Sequence, residues 1–126
     1  MNCDINERIK EITIEDFIWI IYLGIIALSF YSNDLEKKYF LYKDFESKKK
    51  YQTIIKGIFS ILIVVYLYFL KDSIDSIKSL KETDSVEKKN LTYLAFLASL
   101  LIAISGFIYL YIAFNDKDLN IELAFN

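Results

Sequence analysis

The 126 residues suffice for one domain, and 55% of them are apolar while the charged quarter is nearly absent from three stretches of the chain. Fifteen Lys and Arg against 17 Asp and Glu leave a net charge of −2, without the basic excess that a dedicated nucleic-acid binder needs. With no His, one Cys, no Pro and three Gly, the chain lacks the material for most metal and nucleophile chemistry, for a disulfide framework and for a glycine-rich phosphate loop, whereas long helices need none of these.

The N-terminal segment carries Asp4, Glu7, Glu11, Glu15 and Asp16 against Arg8 and Lys10. That is the wrong sign for a secretory leader, and no small-residue cleavage site follows the next apolar run, so the first hydrophobic segment is expected to be kept. Cys3 precedes that run, whereas a lipid-bearing Cys follows one, so it reads as an unpaired terminal thiol. Thr13 and Asp16 are placed to cap a helix entering the run.

Phe17 to Asn33 is 17 residues without a charge, about 25 Å of helix at about 1.5 Å per residue. Trp19 near its start suits a membrane interface, where an apolar ring and a polar edge are both accommodated. Gly24 and Ala27 offer a small-residue face. Beyond Asn33, Leu35, Tyr39, Tyr42 and Phe45 recur at helical spacing among lysines and acids, predicting an amphipathic extension that breaks between Glu46 and Lys50.

Gly57 to Leu70 is the second uncharged run, lengthened to Tyr51 if Lys56 is tolerated. Lys56 is near enough to the end for its stem to carry the ammonium back to the headgroups. Gly57 and Ser60 supply small residues, and Tyr66 and Tyr68 are candidate interface anchors. Ile74, Ile77 and Leu80 continue the stripe through charged sequence, which predicts one helix of about thirty residues. Glu82 to Asn90 is expected to connect, with Asn90 or Thr92 as cap.

The third run, Asn90 to Asn115, is 26 residues long, and Leu94 to Phe114 has no charge anywhere on its circumference. A helix of a water-soluble bundle would present a polar face there. Tyr93 is an anchor candidate, and Ala95, Ser99, Ala103 and Gly106 place small residues on one face, the means by which helices approach closely in lipid. Within one chain this face packs on a neighbouring helix; between copies it supports an oligomer. Asn115 is a candidate terminus, and Asp116, Asp118 and Asn120 mimic the start of a calcium loop. Ile121 stands where that loop requires Gly, and no closing Glu follows, so no metal is expected.

The expected fold is therefore all-α: an integral membrane protein forming a single membrane domain, 1–126, of three long antiparallel transmembrane helices (17–33, 52–70 and 91–114) with polar extensions beyond the bilayer. Orientation is undetermined by charge, because eight Lys fall on the face of the first loop and C-terminus and seven Lys and Arg on the other. The Lys48 to Lys50 cluster favours the first loop inside. Ser29, Ser60, Ser99 and Ser105 have no His or carboxylate in their spans to activate them, so neither an enzyme nor a cofactor is expected. The function expected is that of a non-enzymatic, multi-pass protein of a bacterial-type plasma membrane, partnered by lipid and by another membrane protein or its own copies, not by nucleic acid. The alternative is a pore. The chain resembles phage holins in size and outline, without a shared motif and without their strongly basic tail.

Overall fold

A computed structural model describes residues 2–115, with side chains from 5 onward. Three helices follow one another: α1 (Asn2–Tyr42), α2 (Phe45–Lys78) and α3 (Val86–Asn115), with no strand among the described residues. The chain divides into two compact units, Met1–Ile55 and Lys56–Asn126, the division falling inside the continuous helix α2.

All three helices are longer than their apolar runs. The 41 residues of α1 reach about 60 Å, beyond the roughly 40–45 Å of a whole bilayer. Helix starts within charged sequence, so the expected cap at Thr13 or Asp16 is wrong: Ile5, Ile9 and Ile12 already run at helical spacing, and Arg8 pairs with Glu11 at 3.1 Å. The Thr13 hydroxyl donates to the Ile9 carbonyl at 2.9 Å, the usual bond of a mid-helix Thr.

The first break also lies earlier than the expected Glu46–Lys50. Only Lys43 and Asp44 separate α1 from α2, and Lys43 takes a left-handed φ of 52°. Asp44 caps α2: its Oδ1 accepts from the Glu46 amide at 3.2 Å and its Oδ2 from the Ser47 hydroxyl at 2.9 Å.

The second connection occupies 79–85, not Glu82–Asn90. Asp84 Oδ2 accepts from the Lys81 amide at 2.8 Å, and Ser85 Oγ accepts from the Lys88 amide at 3.1 Å, which makes Ser85 the cap of α3 in place of Asn90 or Thr92. Thr92 is mid-helix, donating to the Lys88 carbonyl. Asn115 is the last described residue of α3, and its side-chain amide donates to the Tyr111 carbonyl at 2.8 Å. The calcium-like spacing at Asp116, Asp118 and Asn120 lies outside the described residues.

Within Lys56–Asn126 the packing is antiparallel. Rising positions along α2 meet falling positions along α3: Lys56 with Phe114, Phe59 with Tyr109, Tyr66 with Gly106, and Ser73 with Ser99. The remaining surface is mostly apolar. Only 11% of the most hydrophobic stretch of α1 and of α3 is buried, against 33% of that of α2. Trp19, Leu23 and Phe30 on α1 and Leu94, Leu101, Phe107 and Phe114 on α3 are exposed, and each such side chain forgoes roughly 1.5–3 kcal/mol if its surroundings are water. Helices this long and apolar are able to cross a membrane, and their outward faces are what lipid would solvate.

Candidate packing and interface sites

The small-residue face of α3 divides along its length. Gly106 and Ala103 are buried, and a Cβ on Gly106 would lie 2.9 Å from Tyr66 Cδ2 and 3.4 Å from Ile63 Cγ1. Gly is needed here because the Tyr66 ring occupies the space a side chain would take. One step toward the N-terminus, the Ser99 hydroxyl pairs with that of Ser73 at 2.8 Å. Ala95 is exposed and lines a cleft of about 560 Å³ together with Asp72, Ser73, Ser76, Ser85, Glu87, Lys88, Leu91 and Thr92. The face continues to Ala113, which the sequence reading did not include and which is fully buried.

The other small residues do not meet it. Gly24 and Gly57 are exposed with nothing within 4 Å of where a Cβ would stand, and Ser60 and Ala27 are exposed as well. The Ser60 hydroxyl donates to the Lys56 carbonyl at 2.8 Å. What packs on Gly106 from α2 is bulky, Ile63 and Tyr66, so knob and hole are unequal in size.

The interface anchors divide in the same way. Trp19 and Tyr93 point outward, Trp19 meeting Tyr22 edge-on at 5.7 Å between ring centres. Tyr66 is half-buried against Gly106, and Tyr68 is half-buried with its ring 5.6 Å from that of Phe69. The Lys56 ammonium lies 5.3 Å from the centre of the Phe114 ring, one residue from the last described residue of α3. The ammonium thus lies beside the end of the apolar run of α3.

The α1–α2 turn gathers aromatic and basic side chains within the unit Met1–Ile55. Tyr39 contacts Phe45 at 5.8 Å and the fully buried Tyr51 at 6.4 Å, and the Lys48 ammonium sits 5.0 Å over the Tyr39 ring. Around them Phe40, Leu41, Tyr42 and Phe45 are exposed. Beside the turn, Tyr31, Lys49, Lys50, Thr53 and Ile54 line a cleft of about 350 Å³. The Ser47 hydroxyl, then the amides of Glu46 and Ser47 and the charge of Lys50, hold the Asp44 carboxyl below the usual aspartate range. Asp84 in the second connection is lowered too, chiefly by the Lys81 amide and then by Lys88, whose ammonium is 3.3 Å away.

Two features escaped the sequence. Ser73 lies outside the uncharged run, yet it supplies the partner of Ser99. Ser32 is 3% exposed, and its hydroxyl has no hydrogen-bond partner among the described residues. Its neighbour in sequence type, Ser29, donates to the Ile25 carbonyl at 2.8 Å. The seven-residue spacing of Ile18, Ile25 and Ser32, with Leu35 three residues on, all buried, marks one face of α1 and would have pointed to Ser32. Among the described residues no group of acidic, Cys or His side chains is arranged to hold a metal ion. No protein-family model, curated protein or solved structure matches this chain.

Proposed function

We propose that this chain is a non-enzymatic accessory subunit of a bacterial-type plasma membrane, which it crosses with three helices, and that it contacts a partner protein through the end of its α1–α2 hairpin. The observation that carries this reading is the exposure of Leu41 and Tyr42, 73% and 77%, at the tip of that hairpin, with Phe40 and Phe45 exposed alongside them. Tyr42 is nine residues past Asn33, about 13 Å along the helix, whereas a headgroup layer is roughly 5–7 Å deep. Exposed apolar side chains at a tip beyond the reach of lipid are a surface that a protein would cover. The other polar extension supports a contact less well, because Ile74, Ile77 and Leu80 are half-buried.

Purification of the tagged chain from its native membrane in mild detergent tests this. A co-purifying membrane protein is expected, and Leu41→Ser with Tyr42→Ser should remove it while the variant still fractionates with membranes. Retention of the same partner by that variant would refute the tip as the contact. A second reading, a pore built from copies of the chain, draws on the exposed Gly24 and Gly57, whose open faces would admit a neighbouring helix. A large uniform ring and growth arrest on induction would select it.

A further inference from the structure

We propose that the cleft beside the α1–α2 turn binds the phosphate of an anionic phospholipid, with Lys49 and Lys50 as the charged arms and Tyr31 as a neutral donor. The proposal rests on the membrane reading and adds a specific lipid site to it. Five residues line the cleft of about 350 Å³, and they sort by chemistry. Lys49 and Lys50 are exposed ammonium groups with three donors each, and the exposed Tyr31 offers a phenolic hydroxyl. Ile54 is apolar. The Thr53 hydroxyl already donates to the Lys49 carbonyl at 2.9 Å, so it shapes the wall and is not a donor to a ligand.

Depth decides what the occupant is. The apolar run of α2 begins at Tyr51, so Lys50 and Lys49 stand about 1.5 and 3 Å outside it along the helix, within the headgroup layer. Tyr31 ends its own run two residues before Asn33, on the hydrocarbon side of the same boundary, and Ile54 lies deeper still along α2. A phosphodiester held by the lysines would therefore leave its acyl chains running past Ile54, an arrangement open to a lipid and not to a soluble anion. Nearby acids offset the lysines only in part, the Lys50 charge acting also on the Asp44 carboxyl. Asp44 is committed to the first turn of α2 through Glu46 and Ser47, and Lys48 is turned to the Tyr39 ring, away from this role. Glu46 remains exposed, three and four residues before Lys49 and Lys50 on the same helix.

The full chain would be exchanged into mixed micelles holding equal phosphatidylglycerol and phosphatidylcholine, and the lipid retained would be read by native mass spectrometry. Preferential retention of phosphatidylglycerol is expected. Lys49→Gln with Lys50→Gln should reduce that preference by about fivefold per lysine, Lys49→Arg with Lys50→Arg should restore it, and Lys37→Gln with Lys38→Gln, at the same end of the hairpin but outside the cleft, should leave it nearly unchanged. Equal losses from the two glutamine pairs would overturn the site, as would displacement of the lipid by soluble glycerol phosphate. If the chain inserts and retains both lipids equally, the lipid site fails alone; a chain that never fractionates with membranes removes the reading beneath it.

Discussion

In Lys56–Asn126 the helices are joined along their lengths, by a glycine under a tyrosine ring, a stacked Phe59–Tyr109 pair with planes 9° apart, and a Ser73–Ser99 hydrogen bond. In Met1–Ile55 the aromatic contacts between α1 and α2 gather instead around a two-residue turn, where Tyr39, Phe45 and Tyr51 cluster and Asp44 caps the returning helix. The difference teaches where each unit is vulnerable. Side-chain volume between packed helices governs the first, and backbone conformation at an exposed turn governs the second. A small residue is a packing point only where a neighbour reaches it, which is why Gly106 and Gly24 have the same identity and opposite surroundings.

Exchanging volume at those two glycines is the strongest way to break the comparison. Gly106→Leu places a side chain where Tyr66 Cδ2 already lies 2.9 Å from a Cβ, and should cost about 3 kcal/mol or more. Gly24→Leu enters open space and should stay within about 0.5 kcal/mol. Reversible denaturation in detergent or bicelles measures both. Equal effects would mean that the tight contact at Gly106 has no energetic weight.

The turn is sharpened by a smaller change in the opposite direction. Lys43 holds a left-handed φ of 52°, which costs an L side chain about 1 kcal/mol and glycine almost nothing. Lys43→Gly should therefore stabilise the protein by about 0.5–1 kcal/mol in the same assay, provided the ordering cost of glycine is the lesser effect. A loss of stability would place the main support of the turn in the Lys43 side chain.

How much of this was legible in the sequence follows the same division. Absence of charge over 17, 14 and 26 residues leaves no polar face for water, so three long apolar helices were readable from Phe17–Asn33, Gly57–Leu70 and Asn90–Asn115. Helix ends were not. Thr13, Asn90 and Thr92 have the side chains of caps, but a cap acts only where the backbone leaves the helix, and the charged flanks at Asn2–Asp16 and Val86–Asn90 have enough helical spacing to continue it. Asp44 with Ser47 three residues on was a readable capping signal, just ahead of the lysine cluster where the break was expected. The small face of α3 was visible from its spacing, but its occupant was not, because the expected fit was small against small and the actual one is Tyr66 against Gly106.

Acid separates the two connections with the smallest expected effect. The caps of α2 and α3 differ in kind: Asp44 titrates, and the Ser85 hydroxyl does not. Because the folded state holds the Asp44 carboxyl below its usual range, the charged cap stabilises the fold fully at pH values above that of an unfolded aspartate. The contribution then fades as pH falls below that value toward the depressed folded one, since protonation weakens the acceptor of the Glu46 amide and the Ser47 hydroxyl. Hydrogen exchange at the Glu46 and Ser47 amides, corrected for intrinsic rates, should accelerate on acidification. The Lys88 amide, held by Ser85 Oγ, should not follow, although the Lys81 amide held by Asp84 should. Asp44→Ser supplies a hydroxyl cap and should flatten the response at Glu46 while leaving that at Lys81 intact. If the acid response at Glu46 survives in this variant, the titrating group lies elsewhere and the turn is not governed by its cap.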